Sequence, residues 1–241
     1  MNFESLKTKQ RQIRDTFPEA LGLRVHRALS WLYKAEQCND DLDSQFIFLW
    51  ISFNAAYAQD LDFSVRGSET NSFSRFIEKQ VELDNDKALY NLVWQEFTSS
   101  IRLLLSNQFV YQPFWDHVSG KLSEEEWKSS FENANSAANR ALGAQDTAKL
   151  LSIVLQRLYT LRNQLVHGGA TWQSAANRQQ IKDGTAFLAK LTPVIINIMM
   201  NSPDTLWGQP LYPVVQPVKM CNQNSEWYLI IAIVSISNRK L

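Results

Sequence analysis

The segment Phe46-Ile47-Phe48-Leu49-Trp50-Ile51-Ser52-Phe53-Asn54-Ala55-Ala56-Tyr57 is apolar on nearly every side at helical spacing. A helix of that kind must be enclosed by others, so the chain has to build several helices around a central one. The polar members Asn54 and Tyr57, one turn apart, then need buried partners or line a cavity. Breakers are few: 8 Gly and 7 Pro in 241 residues, with three of the prolines inside 210–217. Long periodic stretches therefore run unbroken, and an apolar content of 45%, with 8 Trp and 13 Phe, suffices for a large core.

The periodicity predicts an all-α bundle. A short helix is expected over about Phe3–Thr16, and a second from Pro18 to about Cys38 with the stripe Leu21, Val25, Leu29, Leu32. Asn39-Asp40-Asp41 offers caps for the central helix. Residues 61–72 read as a loop, and helices follow at about 72–83 and 87–106. Pro113 and Gly120 bound a short connection. Ser123-Glu124-Glu125-Glu126 reads as a cap with an acidic first turn for a helix reaching about Leu142. From Asp146-Thr147 onward, Leu151, Val154, Leu158, Leu161 and Leu165 alternate steps of three and four, the seam of a packed helix. Gly168-Gly169 ends it, and another long helix spans about Ser174–Asn201. Residues 1–201 are thus expected to form one helical domain. Residues 202–241 form an irregular extension packed on it, in which Ile and Val at 226–237 suit a short strand.

Net charge is zero, which argues against a general nucleic-acid coat protein. Its distribution is uneven. Residues 1–136 carry 14 Lys/Arg against 20 Asp/Glu, and residues 137–241 carry 10 against 4. Cys38 and Cys221 match no metal or redox spacing, and the start lacks an apolar signal core. The longest apolar run, Trp227–Val234, falls far short of the ~20 residues that span a bilayer. A reduced cytoplasmic protein with no membrane partner is the expectation. There is no phosphate-cradling glycine loop, no Gly-x-Ser-x-Gly elbow, no His-Glu-x-x-His and no Cys-x-x-Cys. No cofactor and no metal are expected.

Within the basic half stands Arg162-Asn163-Gln164-Leu165-Val166-His167-Gly168-Gly169. Arginine is a permanent cation whose planar fork matches a phosphate. Histidine exchanges a proton near neutral pH. Arg162 sits only ~40° of helical azimuth from Leu158, beside the seam, so it requires a carboxylate or a bound phosphate. His167 is ~140° from Arg162 on an ideal helix. The double glycine would let the last turn unwind and bring the imidazole towards the guanidinium. Asn163 and His167, four apart, share a face.

This octapeptide resembles the signature of the HEPN superfamily: Arg, usually followed by a polar residue such as Asn, then His after four to six intervening residues (here four), near the end of a late helix. The segment 48–57 looks like the central helix of larger HEPN proteins. The run Asn201-Ser202-Pro203-Asp204-Thr205-Leu206-Trp207-Gly208-Gln209-Pro210-Leu211-Tyr212-Pro213 resembles their ending, as in ApeA-like ribonuclease effectors. The resemblance implies a bundle that homodimerises with two Arg/His motifs facing each other. It also implies a metal-independent endoribonuclease, a toxin or antiphage effector, with RNA as substrate and a cognate antitoxin or defence-system partner. His167 would be general base or acid, Arg162 would stabilise charge on the phosphoryl oxygens, and Asn163 would orient the histidine or hold the phosphate. Asn54, Tyr57, Arg157 and Arg178 complete the set as candidate substrate-binding residues.

Blander roles remain open for each residue. Arg162 would pair with an acid of the first half and His167 would cap its helix, as in a non-catalytic module binding RNA, a nucleotide or a protein. Asn54 and Tyr57 would be hydrogen-bonding core residues. Asp40, Asp41 and Asp43 read as caps and surface charges rather than a metal cluster, and His26 and His117 read as structural.

Overall fold

Asp41 starts the central helix: its carboxylate accepts from the Ser44 N–H at 3.1 Å and from the Ser44 hydroxyl at 2.6 Å. In the computed structural model, which describes residues 1–38, 40–57, 69–210 and 212, ten α-helices follow one another. They are α1 (Phe3–Ile13), α2 (Glu19–Glu36), α3 (Leu42–Tyr57), α4 (Glu69–Leu83), α5 (Ala88–Asn91), α6 (Thr98–Ser106), α7 (Gln112–Val118), α8 (Glu124–Gly143), α9 (Thr147–Val166) and α10 (Arg178–Asn201). The architecture is all-α, as expected, and among the described residues no helix is long and apolar enough to cross a membrane. The chain divides into a unit Met1–Leu211 and a second unit Tyr212–Leu241. Residues 202–211 therefore belong with the helices, whereas the expected strand at 226–237 and Cys221 lie outside the described residues.

The all-round apolar helix is the centre of the bundle. α3 packs on α2, on α10 and on α9, with Phe46, Leu49, Trp50 and Phe53 at 1% exposure or less. The α2 stripe Leu21, Val25, Leu29, Leu32 is buried against it, and the Ser52 hydroxyl donates to the Ala28 carbonyl. Gly184 lets α10 come close: a Cβ there would lie 2.8 Å from Leu158 Cδ2 and 3.0 Å from Phe46 Cε2. Helices α3, α9 and α10 meet at that point, and any side chain there would have to displace Leu158 and Phe46.

Local signals set several boundaries as expected. Ser123 and Glu126 form a reciprocal capping box at α8, and Asp146 accepts from the Lys149 N–H at the start of α9. Two regions differ. The stretch 87–106 is not one helix: a π-helical segment, Leu92–Glu96, and Phe97 separate α5 from α6. The region around Pro113 is helical, because proline in the first turn of α7 lacks only an N–H that no helical carbonyl would accept.

Arg24, fully buried in α2, donates to the carbonyls of Ala56 at 2.8 Å, Gln209 at 3.0 Å and Gly208 at 3.3 Å. It ties the end of α3 to the segment after α10, where Trp207 is buried against Phe76. Desolvation lowers the Arg24 pKa to about 10, which still leaves it charged at neutral pH.

Candidate functional site

The seam expected along α9 is the buried one: Leu151, Val154, Leu158 and Leu161 are each at 1% exposure or less, while Leu165 is half-buried. Arg162 emerges beside it, half-buried. Tyr159, one turn back, lies under its guanidinium with the ring centroid 5.9 Å away, and Trp50 of α3 packs on Tyr159 at 6.0 Å. The central helix thus supports the arginine through two aromatic rings.

Arg162 Nη1 donates to Asn163 Oδ1 at 2.9 Å, and among the described residues no carboxylate lies within ion-pair distance of it. An amide neutralises no charge, so the cation keeps its capacity for an anion. His167 is exposed and is the C-cap, with φ −91° and ψ 10°. Its N–H still donates to the Asn163 carbonyl at 3.0 Å. The last turn therefore does not unwind, contrary to the expectation from the double glycine. Gly168 then turns the chain at φ +69°, as a left-handed cap. The imidazole keeps its helical azimuth, and no hydrogen bond joins it to Arg162 among the described residues.

Gln164, inside the same motif, holds two other elements. Its Nε2 donates to the Phe109 carbonyl at 2.6 Å, and its Oε1 accepts from Asn177 Nδ2 at 2.7 Å. The turn before α7 and the start of α10 are therefore fastened to the end of α9.

The four candidate substrate-binding residues are not gathered here. Arg178 forms a bidentate pair with Asp43, at 3.1 and 3.0 Å, and Asp43 also accepts from the Gln173 N–H at 2.7 Å. The ion pair anticipated between the two halves of the chain exists, but Arg178 makes it rather than Arg162. Arg157 is 3% exposed on the side of α9 facing α7 and α8, with its guanidinium 4.1 Å from the Tyr111 ring centroid and 5.5 Å from that of Phe131. Burial lowers its pKa to about 10, opposed by Tyr111. Its cation lies against aromatic faces, and its buried Nε and Nη2 donate no hydrogen bond among the described residues.

Asn54 and Tyr57 stand at the opposite end of α3, eleven and fourteen residues beyond Asp43, hence ~16 and ~21 Å along the axis. Tyr57 stacks on Phe53 at 4.9 Å, and the buried Asn54 Oδ1 accepts no hydrogen bond among the described residues.

Asp41 caps α3 as expected, whereas Asp43, expected as a cap or surface charge, is buried in its pair with Arg178. Among the described residues no three His, Cys, Asp or Glu side chains gather where they could hold a metal. His117 stacks on Trp127 and its Nδ1 contacts the Leu122 carbonyl at 3.0 Å, while His26 is exposed. Among the described residues, what can act chemically at the end of α9 is therefore small: one cation without a counter-charge, one carboxamide and one exposed imidazole. Comparison with family models, with curated proteins and with solved structures finds no match to this chain.

Proposed function

We propose that the end of α9 is the active site of a metal-independent endoribonuclease of the HEPN type. The observation that carries the reading is the charge imbalance at Arg162: among the described residues, its half-buried guanidinium has an amide and an aromatic ring for company but no carboxylate. Burying a cation without a counter-charge is unfavourable, and a phosphate arriving from solvent would supply the missing charge.

In this reading His167 takes the proton from a ribose 2′-OH as that oxygen attacks the adjacent phosphorus. The P–O5′ bond breaks, and the departing 5′ oxygen takes a proton from a second acid. The products are a 2′,3′-cyclic phosphate and a 5′-OH. Arg162 stabilises the negative charge on the phosphoryl oxygens, and Asn163 holds the guanidinium towards them. Because Arg162 and His167 diverge around one helix, a homodimer is the natural complement. The imidazole of one copy and the guanidinium of the other then meet on one phosphate, and a second imidazole is at hand as the acid.

A role as toxin or antiphage effector in the cytoplasm, restrained by a cognate partner, follows the same proposal. Expression of the wild type should arrest growth, and Arg162→Ala or His167→Ala should relieve it. The deciding assay incubates total cellular RNA with protein in EDTA and maps the ends. Cleavage by wild type alone, leaving cyclic phosphate, supports the reading. RNA that binds but stays intact supports the alternative, a non-catalytic RNA-binding module. Equal cleavage by His167→Ala removes the histidine from the mechanism.

A further inference from the structure

A cleft of about 820 Å³ lies beside the motif rather than over it. One wall is α6 and the turn after it, with Leu103, Asn107, Gln108 and Phe109, joined by Trp115 of α7. The other is the start of α10, with Asn177, Gln179, Gln180 and Asp183. Gln164 closes the gap between the walls, since Phe109 and Asn177 are the two residues it holds. The cleft and the proposed active site are therefore linked through Gln164, which stands in the motif and holds one residue of each wall.

Its chemistry is distinctive. Five of the twelve lining residues are carboxamides, one is a carboxylate, and none is Lys or Arg. Phe109 and Leu103 are 44% and 65% exposed there, and Phe109 is fixed edge-on against Phe114 at 5.4 Å. The Phe109 carbonyl accepts from both Gln164 and Trp115, which makes the turn rigid. A cleft without cations is not built for phosphate. Carboxamides that both donate and accept, beside an exposed ring, suit a flat neutral heterocycle with a polar edge. The volume falls within the ~300–1,000 Å³ typical of small-molecule sites.

We infer that this cleft binds an unpaired nucleobase of the RNA, next to the phosphate held at Arg162; the inference rests on the ribonuclease reading for the source of that base. Guanine is the favoured base, because its N1–H and N2–H groups present adjacent donors to the Asp183 carboxylate. One oxygen of that carboxylate already accepts from Gln179 at 2.9 Å, which orients the other. Phe109 provides the stacking face, and the carboxamides reach the O6 and N7 acceptors.

The test is saturation-transfer NMR with free guanosine, adenosine, cytidine and uridine, followed by titration of those that bind. The wild type, Phe109→Ala and Asp183→Ala are compared, with thermal unfolding as the control for folding. Guanosine should bind most tightly, and each variant should lose at least tenfold in affinity while still unfolding cooperatively. Should both variants fail to fold, Gln179→Ala, at an exposed position, carries the same expectation of weakened guanosine binding. Absence of any nucleoside signal, or affinity unchanged in the folded variants, overturns the cleft. The two readings fail separately. Guanosine bound in the cleft with RNA uncut would leave the site standing and remove the nuclease. His167-dependent cleavage with no nucleoside bound would do the reverse.

Discussion

Two arginines at one end of the bundle, sixteen residues apart in sequence, are compensated in opposite ways. Arg178 is held by both oxygens of Asp43 and by the Ser174 carbonyl, and it clamps the start of α10 to the start of α3. Arg162 has the Asn163 carboxamide and the Tyr159 ring. The first is a finished contact, and a ligand would have to break it. The second is chemically incomplete. A cation in a basic region indicates an anion site only when its counter-charge is missing and solvent can reach it, and only tertiary contacts reveal both. Arg24 and Arg157 also have no carboxylate partner among the described residues, but at 0% and 3% exposure they lie out of a ligand's reach, one ended on carbonyls and the other against aromatic faces.

The sharpest way to break this contrast is to replace His167 and Arg162 by alanine. RNA cleavage in EDTA should fall by roughly 10²–10⁴-fold for His167→Ala and 10²–10³-fold for Arg162→Ala. The melting temperature should move by less than about 2 °C, because neither side chain supports the core. Loss of fold in parallel with loss of cleavage would make Arg162 structural, like Arg178.

The converse substitution is Asp43→Ala. It leaves the Arg178 guanidinium without its partner and frees the Gln173 N–H, and should cost about 2–3 kcal/mol. For a unit of this size the shift is about 5–10 °C by calorimetry, with cleavage per folded molecule retained. Next in size is Gly184→Ala, where the added methyl meets Leu158 and Phe46 and should destabilise by about 1–3 kcal/mol despite the better helix propensity of alanine. Gly168→Ala should cost about 1 kcal/mol from the positive φ alone, since open space surrounds it. It should also reduce cleavage by disturbing the turn that carries His167.

The smallest expected effect is a dependence on acid. Burial opposes ionisation of Asp41, but hydrogen bonds from the Ser44 side chain and backbone and from Trp172 outweigh it and hold the pKa below the ordinary carboxylate value. A depressed folded-state pKa contributes stability that is complete above the unfolded value, near pH ~4, and is lost as pH falls through the folded one. Trp172→Phe should diminish that acid-linked loss by no more than about 2 °C in melting temperature at pH 3–4. An identical pH profile in the variant would remove the Trp172–Asp41 contact from the account.

Much of this fold was legible along the chain because its signals are local. The all-round apolar run 46–57 could only be central, and α3 is. Ser123, Asp146 and Gly168 mark helix ends through bonds that reach three or four residues, so the boundaries of α8 and α9 follow from adjacent sequence. The π-helical segment in 87–106 was hidden, because Phe97 packs on Phe187 of α10, ninety residues away, and no local pattern encodes that contact. Of the candidate site, Arg162, Asn163 and His167 lie where one helix end must put them, and the azimuth between Arg162 and His167 is helical arithmetic. The cleft beside Gln164 left no such trace, since its walls come from residues 103–115 and 176–183.

The sequence by itself determined that this chain is a helical bundle, which helix lies inside it, and that an arginine and a histidine end a buried seam. Those facts depend on periodicity and capping, and both act within a few residues. Tertiary structure alone decided which cations carry a counter-charge, that Gln164 fastens two distant segments, and that carboxamides and an exposed phenylalanine face one cleft. Charge compensation and cavities are made between elements, by side chains whose separation along the chain says nothing of their separation in space.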